Sequence, residues 1–268
     1  MIVLSVLAGY FMGGMSGMIF AMIFSLGMNF FAYWYSDKLA LRMAGAKEVS
    51  EEESLDLHFI VEEQARLSNL PKPRVYVIEN DSPNAFATGR NPSHADVAAT
   101  TGIMRVLSLD ELSAVLAHEM SHVGNRDTLI MTVAAAMAGA TVMMARLSML
   151  FGGLGGRRGG GGGMDGMVGL LAVALLLPLA AILVRAAISR AREYQADSTG
   201  AWNCRNPWAL ADALEKLERE AHSKPMKVNE AVSHLFIVNP LSGFSATMFS
   251  THPPMQKRIS RLREMRGY

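Results

Sequence analysis

Two long apolar runs separate a His-Glu-x-x-His string from the acidic residues that could complete a site with it, and this constrains the fold more than any other feature. Leu129 to Phe151 is almost entirely apolar, with Arg146 its only charge. Gly152 to Gly163 follows as a glycine-rich tract holding Arg157 and Arg158, and Met167 to Val184 then carries no charged residue. At about 1.5 Å per residue each run reaches across, or nearly across, a hydrocarbon core of ~30 Å. Two crossings return the chain to the side it left. Residues before Leu129 and after Val184 can then meet on one side; a single crossing would keep them apart.

The string before the runs is His118-Glu119-Met120-Ser121-His122. Histidines four apart on a helix share one face, so both rings can reach one metal ion. The intervening glutamate points to the neighbouring face, close enough to touch a metal-bound water. This is the HExxH arrangement, in which zinc lowers the pKa of its water and the glutamate takes the proton. A helix is expected here: Ser108 and Glu111 read as a capping box, and Leu112, Val115, Leu116 and Val123 follow a helical period. Without further ligands the string is also compatible with a solvated helix face.

An open catalytic zinc site needs three protein ligands. After His122 the best acidic candidate is Glu193. Asp197 lies four residues on and shares its face, where it could accept a hydrogen bond from a ligand histidine, His118 before His122. The alternative is a salt-bridged polar face near Arg190 and Arg192.

Near-neutral charge, +1 from 25 basic and 24 acidic residues, gives no argument for nucleic acid. The lone Cys204 excludes an internal disulfide and points to a reducing compartment. At the N-terminus, Met1 to Met12 is too short to span, at roughly 18 Å of helix. Gly13 to Gly17 separates it from Met18 to Tyr35, which is long enough and ends in Tyr33-Trp34-Tyr35, an interfacial aromatic set. Lys38, Arg42, Lys47, Arg126, Arg185, Arg190 and Arg192 flank the runs and place those ends in the cytoplasm; Arg157 and Arg158 oppose this but are outnumbered.

The resulting organisation is an N-terminal membrane segment over residues 1–35, a first catalytic part over 36–128, a membrane hairpin over 129–188 and a second catalytic part over 189–268. Within it, Ser50 to Glu53 reads as a capping box opening a helix to about Leu67. Val75 to Ile78 and Asp96 to Thr101 read as short strands. Asn206-Pro207 starts another helix, and a last one runs from about Pro254 to Met265.

Four segments together resemble the HtpX family, membrane-integrated zinc metalloproteases of the gluzincin type related to the CAAX prenyl endopeptidases. They are Asn84 to Gly89, His118 to His122, Glu193 to Asp197 and Ser250 to Pro254, and the resemblance runs along nearly the whole chain. It implies an α+β fold, a mainly helical domain with a small sheet plus transmembrane helices. It implies one zinc ion on His118, His122 and Glu193, with Glu119 as catalytic base. It further implies cleavage of misfolded or damaged membrane proteins by a multi-pass protein of the inner membrane, its catalytic domain facing the cytoplasm.

The resemblance also places a substrate-holding edge strand at or beside Asn84, Ala85, Phe86 and Ala87, where an extended peptide adds as another strand. An ordinary turn is the alternative, since the preceding residues are turn-rich. His252 reads either as a donor to the oxyanion of the tetrahedral intermediate or as a residue capping the last helix. A zinc-binding scaffold would keep the ligands but have no use for Glu119. The sequence does not define an oligomeric state.

Overall fold

The structure is a computed structural model that describes residues 2–127, 189–223, 226, 235–238 and 253–265. The expected hairpin over 129–188 and His252 lie outside the described residues. By compactness the chain divides into two units, Met1–Tyr33 with Met131–Ile188, and Trp34–Ile130 with Ser189–Tyr268.

In the first unit the described element is most of α1, which runs Ile2–Ala44 and whose end belongs to the second unit. The expected break at Gly13 to Gly17 does not occur. Gly14 takes φ +59°, which costs glycine little, and the helix continues through it. Counting described residues alone, no helix is long and apolar enough to cross a membrane. The sequence of residues 2–36 nonetheless holds no Asp, Glu, Lys or Arg.

The second unit is built on a small mixed sheet. Its strands are β1 (Ala46–Glu48), β2 (Arg74–Ile78), β3 (Ala85–Asn91) and β4 (His94–Thr100), in the order β1-β2-β4-β3. β2 and β4 are parallel and the other pairs antiparallel. β2 and β4 fall where the apolar runs predict strands. β1 is too short to leave a pattern. β3 is Ala-Phe-Ala-Thr-Gly-Arg-Asn, with the small residues and glycine that weaken strand propensity, so it is legible only through the family resemblance. It lies at one end of the sheet order and turns into β4 at Pro92-Ser93. Gly89, at φ +138°, packs against His94 and Ala95 so closely that a Cβ would clash with backbone.

The period of two sorts the sheet's side chains onto its faces. Val75, Val77, Ala85, Val97 and Ala99 join the main core with α2 (Leu55–Leu67), α3 (Thr101–Val106) and α4 (Leu109–Gly124). That core also takes α6 (Pro207–Ser223), α7 (Met255–Glu264) and Ala201 of the helical residues 189–204, here α5. Tyr76, Ile78, Phe86 and Ala98 form the second core with Ala40, Leu41 and Ala44 from the end of α1. Phe86 meets Phe236 edge to face, with ring centroids 5.0 Å apart.

Helix starts follow side-chain chemistry with one displacement. Ser50 and Glu53 exchange capping hydrogen bonds, Ser50 N to Glu53 Oε2 at 2.8 Å and Glu53 N to Ser50 Oγ at 3.4 Å. They close a separate turn, however, and α2 begins only at Leu55. Asn206 Oδ1 accepts from Ala209 N at 3.0 Å and caps α6.

Candidate metal centre

α4 carries His118, Glu119 and His122, and its start is fixed by Ser108 and Glu111, whose capping box is complete. Glu111 Oε2 accepts from Ser108 N at 2.8 Å and from Lys216 Nζ at 2.7 Å, tying α4 to α6. α5 carries Glu193 and Asp197 and reaches α4 at Gly200. A Cβ on Gly200 would stand 2.8 Å from both the N and the Cα of His118. Glycine is therefore what lets the second ligand-bearing helix approach the backbone of the first, a requirement that sequence reading does not reveal.

One ligand atom from each of His118, His122 and Glu193 lies within 4.8 Å of the others. The two Nε2 atoms are 3.2 Å apart. Glu193 puts Oε2 at 3.7 Å from His118 Nε2 and Oε1 at 3.6 Å from His122 Nε2. Behind the rings stand two carboxylates. His118 Nδ1 lies 3.0 Å from Asp197 Oδ1, a close contact rather than a well-aligned hydrogen bond. His122 Nδ1 lies 2.6 Å from Asp127 Oδ2.

A proton on each Nδ1, facing its carboxylate, leaves both Nε2 lone pairs pointing at each other and at Glu193. Three acceptors converging in this way need a cation among them, and a His, His, Glu donor set suits zinc with one coordination position left open. The residues present fit the metal.

Two residues absent from the sequence reading complete the surroundings. Asp127 follows the helix and offers no spacing rule that would connect it to His122. It also pairs with Arg192, which donates to the carbonyl of Asn125 at 3.0 Å. Arg258 comes from α7 and is fully buried. Its Nε and Nη2 bond Asp197 at 2.9 and 2.6 Å. It borders the ligand atoms at long range, 3.4 Å to His118 Nε2 and 3.4 Å to Glu193 Oε2. The alternative of a polar face salt-bridged to Arg190 and Arg192 is not what Asp197 forms; its partner is the distant Arg258.

The electrostatics follow from burial and these partners. Burial works to raise the Asp197 carboxyl, but Arg258 and His118 outweigh it and hold it at about 2. Burial lowers His118, which keeps its ring neutral and able to bind a metal. Glu119 is 2% exposed, and burial pushes its carboxyl up to about 8. Its Oε2 accepts from the backbone amide of Ala87 at 2.9 Å.

That bond orients β3. Ala85 O accepts from Ile237 N at 3.1 Å, so Ala85 and Ala87 both turn backbone groups away from β4. Asn84 does not lie open on this edge. It is 1% exposed, and its side chain donates to Val238 O at 2.8 Å and accepts from Val238 N at 3.3 Å. The chain's own residues 237–238 therefore occupy the start of the strand. Ala87 is the position at which this edge meets Glu119.

His118, His122 and Glu193 converge beside a buried glutamate bonded to a sheet edge, an arrangement suited to metal-dependent hydrolysis. Residues 51–266 match peptidase family M48, and the chain belongs to that family. A protein named Protease HtpX homolog from Desulfatibacillum aliphaticivorans is 51% identical over 260 residues, covering 96% of this chain and 83% of its own. Relatives of the same name from Persephonella marina and Pyrococcus furiosus are each 50% identical, over 98% and 96% of this chain and 92% and 89% of theirs. The crystal structure of S. mikatae Ste24p shares the fold with TM-score 0.60 at 19% identity, over 97% of this chain. The chain spans 62% of that protein's length. The HtpX resemblance carried by the four motifs stands, and the protein is a metalloprotease acting on protein substrates.

Proposed function

We propose that the protein is a membrane-anchored zinc endopeptidase that cleaves misfolded or damaged membrane proteins at the cytoplasmic membrane surface, as part of quality control under stress. The observation that carries the chemistry is the 2.9 Å bond from Ala87 N to Glu119 Oε2. It puts the only acid of the string that is not a ligand candidate against an edge that can receive a peptide.

In this reading His118, His122 and Glu193 hold the metal, and Asp197 and Asp127 orient the two rings. Zinc bound there supplies Lewis acidity and an acidified water. The chain's residues do the rest. Glu119 would act as the base, holding a proton on its carboxylate and passing it to the leaving amine. An extended substrate adds beside β3 from Ala87 onward, which brings its backbone to the carboxylate. For His252 both readings stay open, a donor to the oxyanion or a residue capping the last helix.

The membrane half of the proposal rests on sequence. The uncharged stretch 2–36 is long enough to span, and so are the runs on either side of the glycine tract. Membrane proteins with unfolded cytoplasmic segments would then be held beside the site at high effective concentration.

Purified protein and its Glu119→Gln variant, compared in detergent for metal content and casein cleavage, test the chemistry. The variant should keep one zinc and lose cleavage; a zinc-loaded variant with full activity would refute the assignment of the base. A reporter fused at Gly160 should lie outside the cytoplasm and one after Tyr268 inside it. A cytoplasmic Gly160 reporter would remove the hairpin.

A further inference from the structure

Away from the metal centre, the second unit holds a cavity of about 460 Å³ whose walls include Trp34, Tyr35, Lys38, Lys72, Arg74 and Arg90. Four cations facing one cavity is unusual, and their partners decide what it can hold. Lys72 is committed to Glu51 and Glu62 at 2.7 and 2.8 Å, and Arg74 to Asp96 at 2.7 Å. Lys38 and Arg90 have no ion pair among the described residues. Each lies over an aromatic ring instead, Lys38 Nζ 6.0 Å from the centroid of Tyr35 and Arg90 Cζ 4.5 Å from that of Trp34. Stacking uses the face of the guanidinium and leaves its in-plane N–H groups able to make a bidentate contact with an oxyanion.

Asp37 also lines the cavity, so the unpaired wall charges, two cations and one carboxylate, sum to a single positive charge. Trp34 and Tyr35 also close the uncharged stretch of sequence. In the membrane reading on which this step rests, that puts them at the level of lipid headgroups.

We propose that this cavity binds the phosphodiester of an anionic phospholipid, gripped by Arg90 and Lys38. Arg90 belongs to β3, three residues beyond Ala87, and also lines the small cleft beside His122. A bound headgroup would steady the strand on which substrate is laid and so link membrane contact to the active site.

The test uses the full chain in detergent, titrated into phosphatidylglycerol and, separately, phosphatidylcholine carrying the same fluorescent acyl chain, read by anisotropy. Phosphatidylglycerol should bind about tenfold tighter, because both lipids carry the phosphodiester but in phosphatidylcholine a choline cation stands beside it, repelled by Arg90 and Lys38. The Lys38→Gln/Arg90→Gln protein should lose that preference while keeping its melting temperature and zinc content. Equal binding of the two lipids by the unmodified protein overturns the proposal, and so does an undiminished preference in a normally melting variant. Displacement of the lipid by an equal concentration of inorganic phosphate would make free phosphate the ligand and overturn the lipid assignment. Flotation with pure phosphatidylcholine vesicles separates the two readings. Failure to float removes the membrane anchor itself, whereas flotation without lipid preference removes only the headgroup site.

Discussion

Gly200 and His118 are in backbone contact, and no side chain fits between them: a Cβ on Gly200 would lie 2.8 Å from the Cα of His118. Glycine in a helix costs about 1 kcal/mol against alanine, so propensity alone favours replacement. Contact with rigid backbone outweighs it, since overpacking costs about 1–3 kcal/mol. Gly200→Ala should push α5 away from α4, lower the melting temperature and weaken zinc binding in a chelator competition. An alanine variant that is more stable and binds zinc normally would show that the helices can separate freely.

Asp197 serves two partners, and they can be told apart. Asp197→Ala should reduce zinc affinity by about ten- to a hundred-fold by releasing His118. Arg258→Met leaves Asp197 a buried carboxylate without its cation, facing only His118, and should cost about 3–5 kcal/mol. The double variant Asp197→Asn/Arg258→Met removes both charges. It should regain part of that stability in denaturant unfolding while zinc affinity stays low. Recovery of both together would mean that Arg258 and Asp197 act only in packing.

Ala87→Pro deletes the amide that Glu119 accepts from and blocks strand addition, but it spares the ladder to β4, because that N–H points the other way. The expected protein folds and holds zinc, with kcat lowered and KM raised for an extended substrate. Normal kinetics in such a protein would exclude this edge as the substrate platform.

Glu111 gives a pH dependence at a distance from the metal. Burial raises its carboxyl, but Lys216 and Ser108 outweigh this and leave it below its usual 4.5. A depressed folded value means that its stabilisation is complete above the unfolded pKa and is lost as pH falls through the folded one. Glu111→Gln should cost about 1 kcal/mol at neutral pH, modest because Lys216 is partly exposed. The melting temperatures of the two proteins should converge as the pH is taken below about 4. A gap that persists at low pH would assign the effect to shape instead of charge.

Much of the site is written in local sequence. The four-residue spacings of His118 with His122 and of Glu193 with Asp197 need only helical geometry, and the box at Ser108 and Glu111 fixes where the first helix begins. β2 and β4 were legible from their apolar runs. β3 was hidden by its alanines and glycine, because an edge strand beside a helix is chosen by what it must let near, not by propensity. The Ser50 box misplaced the start of α2, since the same side-chain exchange also closes a single turn.

The sequence by itself determined the candidate ligand types, their helical faces and the glutamate between them, because each depends on neighbours within one turn of chain. Tertiary structure alone decided the rest. It joined Asp127 to His122, buried Arg258 against Asp197, closed Asn84 onto Val238 and demanded a glycine at residue 200. These relationships pair residues far apart in the chain, and no periodicity records which distant side chain will satisfy a charge once water has been removed.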